Sequence, residues 1–184
     1  MIEEFIKRIA QELDAATIPY MIIGGQAVLI YGRPRLTRDI DITLGVDTDR
    51  FALIEGLCKR LGLKLLPENP EDFAKQTSVL PAEETKSKLR VDFIFSYTPY
   101  ELQAIGRSRE VLVDGYPAKF ASCEDVIIHK MFAGRAVDEE DVSSILAKNK
   151  DSIDMEYIRK WLLQFSGISE HEGVLEKFNG LLKD

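Results

Sequence analysis

Ile2, Phe5, Ile6, Ile9 and Leu13 recur at helical spacing, which predicts an amphipathic helix from the first residues to about Ala16. Thr17-Ile18-Pro19 ends it. Tyr20 to Ile23 is continuously apolar and predicts a short buried strand, after which Gly24-Gly25 turns the chain into a helix from Gln26 to Tyr31. Gly32-Arg33-Pro34-Arg35 predicts a loop. From Arg38 to Leu44 the period changes to two. Ile40, Ile42 and Leu44 share one face and Asp39, Asp41 and Thr43 the other, which is a strand pattern. A helix is predicted from Asp49 to Leu61, short strands at Lys64–Leu66 and Thr77–Leu80, and a stronger strand at Leu89–Phe95. Glu110–Val113 and Tyr116–Phe120 flank Asp114-Gly115, a pair suited to a tight hairpin turn. Beyond this point the pattern is helical. Ser122-Cys123-Glu124-Asp125 reads as a capping box opening a helix to about Ala133, and further helices are predicted at Asp138–Lys148, Asp154–Phe165 and Glu170–Leu182. The prediction is an α/β (α+β) core over residues 1–120 with a helical part over 121–184 packed on it.

The chain length of 184 residues fits one domain, and 45% apolar residues can furnish its core without a covalent staple. Cys58 and Cys123 are too few for a disulfide scaffold or a four-thiolate zinc site and are expected as small buried hydrophobes. Neither histidine pairs with a cysteine at zinc-ligand spacing. The net charge of −7 argues against a general nucleic-acid coat. It leaves room for a local basic rim of Arg33, Arg35, Arg38, Lys86, Lys88 and Arg90. The acidic start lacks the basic opening of a signal peptide, and the apolar run Tyr20–Tyr31 is too short and too interrupted to span a membrane. A cytoplasmic protein without a membrane partner is expected.

The chemistry concentrates between Gly24 and Asp92. Asp39 and Asp41 lie two apart on a predicted strand, so both carboxylates point to one face. Their mutual repulsion is the kind of cost that a bound cation or a catalytic task offsets. Asp92 sits on a second buried-looking strand, Arg90 to Phe95. If the two strands are neighbours, three carboxylates converge, enough for two metal ions about 3.5–4 Å apart in a phosphoryl or nucleotidyl displacement. Hard Mg²⁺, or Mn²⁺ in its place, suits such oxygen ligands together with substrate phosphates. Gly24-Gly25, between strand and helix, lets backbone approach a phosphate.

Gly24-Gly25-Gln26-Ala27, then Arg35-Leu36-Thr37-Arg38-Asp39-Ile40-Asp41, then Val91-Asp92-Phe93, resembles the nucleotidyltransferase superfamily with the DNA polymerase β-like fold. Within it the pattern is similar to the AbiEii-type toxin branch and its uncharacterised relatives. The similarity continues to His129-Lys130, Arg135, Asp138 and Asp141. The resemblance implies a mixed sheet with helices and transfer of a nucleoside monophosphate from an NTP. It implies that Asp39, Asp41 and Asp92 are the catalytic, metal-binding carboxylates. It implies that Gly24, Gly25, Arg35, Thr37 and Lys130 bind the nucleotide. The acceptor it implies is a hydroxyl on a tRNA 3′ end, a protein or a small molecule, in one reading within a toxin–antitoxin pair. Where many members have Gly-Ser, this chain has Gly24-Gly25, so a serine contact to phosphate is missing.

Plainer readings stand beside these. Asp39 and Asp41 fit a solvated edge strand, and Asp92 a salt-bridged strand aspartate. Arg35 fits a structural ion pair, Lys130 a solvated helix face, and Arg135 with Asp138 or Asp141 a pair on neighbouring helix positions. His129 is expected to be a helix residue without chemistry, and Trp161, Leu162 and Phe165 to be core. The alternative function is a non-catalytic nucleotide-binding or antitoxin module acting by protein contact. A glycosyltransferase is the weakest option, because such domains need more chain.

Overall fold

The computed structural model describes residues 1–168 and 171–182. Helix α1 (Ile2–Ala15) buries Phe5, Ile6, Ile9 and Leu13 on one face, as the periodicity predicts. Strand β1 (Tyr20–Ile23) follows, and helix α2 (Gly24–Tyr31) begins directly at the glycine pair, two residues earlier than the pattern predicts. The alternating segment is strand β2 (Asp39–Leu44), with Ile40, Ile42 and Leu44 buried and Asp39 exposed. A single 3₁₀ turn (Thr48–Arg50) leads into helix α3 (Phe51–Leu61) and strand β3 (Leu63–Leu65).

The next stretch departs from expectation. Thr77 ends a helix, α4 (Pro70–Thr77), instead of starting a strand, and strand β4 runs from Val79 to Glu84. Pro70 at the first helical position, with Glu71 and Asp72 behind it, is a helix-start signal. Pro81 inside β4 breaks the strand pattern that would have marked its full length. Strand β5 (Arg90–Phe95) is as predicted, and helix α5 (Pro99–Gly106) after it is an additional element, capped by the Thr98 side chain. The hairpin of β6 (Arg109–Val113) and β7 (Tyr116–Phe120) turns at Asp114-Gly115.

Helix α6 (Cys123–Ala133) has Ser122 as N-cap, its hydroxyl accepting from the Asp125 backbone N–H. Helices α7 (Ala136–Asn149), α8 (Met155–Phe165) and α9 (Val174–Leu181) complete the fold. The predicted start of the last helix, at Glu170, lies outside the described residues; the helix itself begins at Val174.

Among the described residues, seven strands form one mixed sheet in the order β3-β4-β5-β2-β1-β7-β6. β2 runs parallel to β5 and β1 parallel to β7; the other neighbours are antiparallel. The hydrophobic core is continuous from α1 through the central strands to α6, α8 and α9. Cys58 and Cys123 are buried within it as free thiols. Among the described residues, no helix is long and apolar enough to cross a membrane.

Candidate active site

The site is built where three chain segments meet at the centre of the sheet. The β1–β2 pairing sets Ile23 opposite Asp41, which brings the start of α2 beside the carboxylate strand. The parallel β2–β5 pairing sets Asp41 opposite Asp92 and Asp39 opposite Arg90. Paired residues in a parallel ladder point to the same face, so Asp41 and Asp92 are side by side, with Asp39 further along toward solvent. The juxtaposition of Asp41 and Asp92 thus follows from one register, with Asp39 two residues along the same strand. The solvated edge-strand reading of Asp39 and Asp41 is corrected: β2 is a central strand, flanked by β1 and β5.

Gly24 fits this corner because nothing larger does. Its φ is +63°, and a Cβ there would lie 1.9 Å from Asp41 Oδ2. Gly25 is constrained by contact instead: a Cβ would lie 2.5 Å from Thr37 Oγ1. The two glycines therefore let α2 start against the Asp41 carboxylate and the Thr37 side chain. This joins four of the motif residues in one place.

The electrostatics are those of crowded carboxylates. Burial first, and then the charges of Asp92 and Asp39, push the Asp41 carboxyl above its ordinary range, with Lys130 and Arg135 opposing the shift. Burial also raises Asp92, Arg90 opposes this, and Asp39 adds to it. The Arg90 guanidinium stands 3.8 Å from Asp92 Oδ1, too far for a hydrogen bond. That oxygen is buried and has no hydrogen-bond partner among the described residues. The nearest cation to this oxygen is Arg90, so the plainer reading of Asp92 as an ion-paired strand aspartate holds in part, and the oxygen keeps an unused lone pair. The all-oxygen donor set of Asp39, Asp41 and Asp92 fits Mg²⁺ or Mn²⁺. Among the described residues, no three His, Cys, Asp or Glu side chains are grouped closely enough to hold a metal ion as they stand. Asp41 and Asp92 make the paired element and Asp39 the exposed lip.

Cations border the carboxylates on the helical side. Lys130 on α6 is buried, which corrects its reading as a residue of a solvated helix face. Its Nζ lies 2.7 Å from Asp138 Oδ1 and 2.9 Å from Asp141 Oδ2. Asp138 also accepts from Arg135, at 2.6 Å from Nε, at 3.1 Å from Nη2 and at 3.2 Å from the backbone N–H. Burial raises the Asp138 carboxyl, but the bonds from Arg135 and Lys130 outweigh it and hold it below its ordinary range. Arg35 forms a two-pronged pair with Asp141, at 3.0 and 3.1 Å. Of the two partners that spacing offers Arg135, Asp138 or Asp141, the structure pairs it with Asp138. Asp138 and Asp141 together clamp Lys130, and Asp141 ties the loop carrying Arg35 and Thr37 to α7. The spacing of Lys130, Arg135, Asp138 and Asp141 was visible; the link from α7 across to Arg35 was not.

The proposed basic rim is partly compensated. Lys88 pairs with Glu83 at 3.0 Å, while Arg33 and Arg38 are exposed. His129, next to Lys130, turns away toward Tyr100, with ring centroids 5.5 Å apart.

Known structures share this arrangement of sheet and helices. An antigenic nucleotidyltransferase-like protein from Paracoccidioides brasiliensis aligns with a TM-score of 0.58 at 15% identity, over 95% of this chain and 92% of that one. The antibiotic-resistance factor ANT(2″)-Ia, in complex with adenylyl-2″-tobramycin, gives 0.54 at 18% identity over 97% of both chains. The lincosamide antibiotic adenylyltransferase LnuA, with lincomycin bound, gives 0.54 at 14% identity over 77% of this chain and 94% of that one. The fold is that of the nucleotidyltransferases. The chain belongs to the family described as nucleotidyltransferase of unknown function (DUF6036), whose model matches residues 1–172. No curated protein matches it by sequence. The chain is thus an enzyme of the nucleotidyltransferase class.

Proposed function

We propose that this chain transfers a nucleoside monophosphate from a magnesium-bound NTP to a hydroxyl on a small-molecule acceptor, releasing pyrophosphate. The observation that carries the reading is the Asp41–Asp92 pair beside Gly24, with Asp92 Oδ1 buried and unpartnered. Asp39, Asp41 and Asp92 would hold the metal. When bound there, Mg²⁺ supplies charge neutralisation at the α-phosphate and the departing pyrophosphate.

The protein's own groups divide the remaining work. The start of α2 at Gly24-Gly25 presents backbone N–H groups to the triphosphate. Thr37, against Gly25, adds a hydroxyl at the same corner. Arg35, paired with Asp141 and 34% exposed, offers positive charge at a fixed position, while Lys130, buried between Asp138 and Asp141, ties α6 to α7. Asp92, its carboxyl raised by burial, is suited to accept the proton of the attacking hydroxyl. A small-molecule acceptor is supported by the net charge of −7, unfavourable for extended RNA. It is also supported by the resemblance to proteins of similar length solved with adenylyl-2″-tobramycin and with lincomycin.

The test mixes purified protein, Mg²⁺ and each α-labelled NTP with a panel of hydroxylated small molecules, total tRNA and lysate protein, with Asp41→Ala alongside. Label on a small molecule, lost in Asp41→Ala, is the expected result. Label on tRNA or on a protein band would keep the chemistry and replace the acceptor, the protein band favouring a toxin–antitoxin role. Transfer that persists undiminished in Asp41→Ala would refute the carboxylate site. NTP bound in the presence of Mg²⁺ but never transferred to any acceptor would favour the contact module.

A further inference from the structure

The cross-strand row that carries Asp41 and Asp92 does not end at Asp92. The β4–β5 pairing sets Asp92 opposite Pro81. Leu66, the residue after β3, keeps the β3–β4 register, its backbone N–H donating to the Pro81 carbonyl at 3.0 Å. Directly opposed residues share one face of a sheet, so Ile23, Asp41, Asp92, Pro81 and Leu66 form one line across it. The Gly24 corner stands at one end of the line and Leu66 at the other. With neighbouring strands about 4.8 Å apart, Leu66 lies roughly 10 Å from Asp92.

The far end of the line opens into a hollow. Leu66 and Pro81 from the sheet and Phe73 from α4 border a cavity of about 610 Å³, within the range of about 300–1,000 Å³ typical of small-molecule sites. Leu66 and Phe73 are each 38% exposed, large apolar groups left facing solvent. Ile94 and Val79, opposed on the same face and half-buried, extend the apolar floor back to β5.

The charge at the hollow is of one sign. Glu68 and Asp72 line it, and among the described residues no lysine or arginine does. The adjoining row along the sheet, Arg90, Glu83 and Lys64, alternates in sign. A phosphate-rich acceptor therefore meets no cation in the hollow, whereas an amine meets two carboxylates. In-line displacement also sets a direction, because the attacking oxygen must stand opposite the leaving group. With the triphosphate at Gly24, on the β1 side of the carboxylates, the acceptor approaches from the β5–β4 side, where the hollow lies.

We infer that the hollow between β3, β4 and α4 is the acceptor subsite, and that the acceptor is an alcohol with an apolar body and a cationic amine. This rests on the nucleotidyl reading above and names the acceptor class for it. The body packs on Leu66, Phe73 and Pro81, the amine faces Glu68 and Asp72, and the hydroxyl reaches Asp92. The hydroxyl oxygen bonds to the α-phosphorus, and the bond from that phosphorus to the oxygen bridging to the β-phosphate breaks. Pyrophosphate leaves with the electron pair, and the hydroxyl proton passes to Asp92.

Phenylalaninol, an amino alcohol with a phenyl ring, is the probe, followed through backbone amide signals in a nitrogen–proton correlation spectrum. Saturable shifts are expected at Leu66, Phe73 and Gln76, with a dissociation constant below about 5 mM. Glu68→Gln combined with Asp72→Asn should weaken binding by about three- to tenfold. Gln76→Trp, which fills the hollow from an exposed position, should abolish binding, and the rest of the spectrum reports its fold. Asp41→Ala should bind the probe as the parent does. With Mg²⁺ and α-labelled NTPs, the parent should label phenylalaninol, and Gln76→Trp and Asp41→Ala should not. Unmoved amides, equal binding in a folded Gln76→Trp, binding lost in Asp41→Ala, or equal binding of uncharged N-acetylphenylalaninol would overturn the inference. A probe bound in the hollow but unlabelled, while label reaches tRNA, protein or another small molecule, overturns it and leaves the nucleotidyl reading standing. Label that reaches no acceptor at all overturns both.

Discussion

Gly24→Ala isolates the contact between backbone and carboxylate that the site depends on. A methyl group there would lie 1.9 Å from Asp41 Oδ2 and 2.8 Å from Asp41 Cγ, so the carboxylate must retreat by about 1 Å or more. The residue must also keep a φ of +63°, which costs an L-residue about 1–2 kcal/mol. At about 2–4 °C per kcal/mol for a chain of this size, the melting temperature should fall by roughly 2–8 °C. Misplacing a reacting group by about 1 Å can cost about 100-fold in rate, so transfer should fall at least that far. Gly115→Ala is the control. Its φ is +75°, with open space where the Cβ would go, in a hairpin turn away from the site. It should lose similar stability and keep its activity. The assay is labelled-nucleotide transfer at saturating NTP, paired with thermal melts of both variants. A Gly24→Ala protein within about threefold of the parent rate would refute the argument that this glycine makes room for Asp41.

Asp92→Asn should reduce transfer by about 100-fold or more, and by relieving repulsion on Asp41 it should raise stability in urea by up to about 1 kcal/mol. Lys130→Met leaves two buried carboxylates short of a cation and should cost about 3–5 kcal/mol, measured by urea denaturation at pH 7. His129 has a folded pKa of about 4 against 6.5 unfolded, so its stabilising contribution is complete above about pH 6.5 and is lost as pH falls toward 4. That amounts to about 3 kcal/mol, and His129→Gln should flatten the stability profile in this window.

Much of the fold was legible because strand and helix periods are local. The alternation at Asp39–Leu44 and the Ser122 cap were readable from a few neighbouring residues. Helices α4 and α5 went unread although Pro70 and Thr98-Pro99 mark their starts, because both are short and weakly patterned. The juxtaposition of Asp41 and Asp92 needed the strand register, which residue order alone does not contain. Likewise, Lys130 looks like any helix lysine until α7 folds back over it. The partners of Arg35 and Lys130 are long-range contacts, and no window of sequence shows them.

The parallel pairing of β2 with β5 also bears on biosynthesis. Between Asp41 and Asp92 the ribosome must make α3, β3, α4 and β4, and the cations on α6 and α7 come later still. A nascent chain stalled before Asp138 holds all three carboxylates without the clamp on Lys130 and Arg35. Contacts so distant in sequence form late in folding. A product that ends before α7 therefore leaves Lys130 buried without its two carboxylate partners, a mark by which an incomplete chain differs from a folded one.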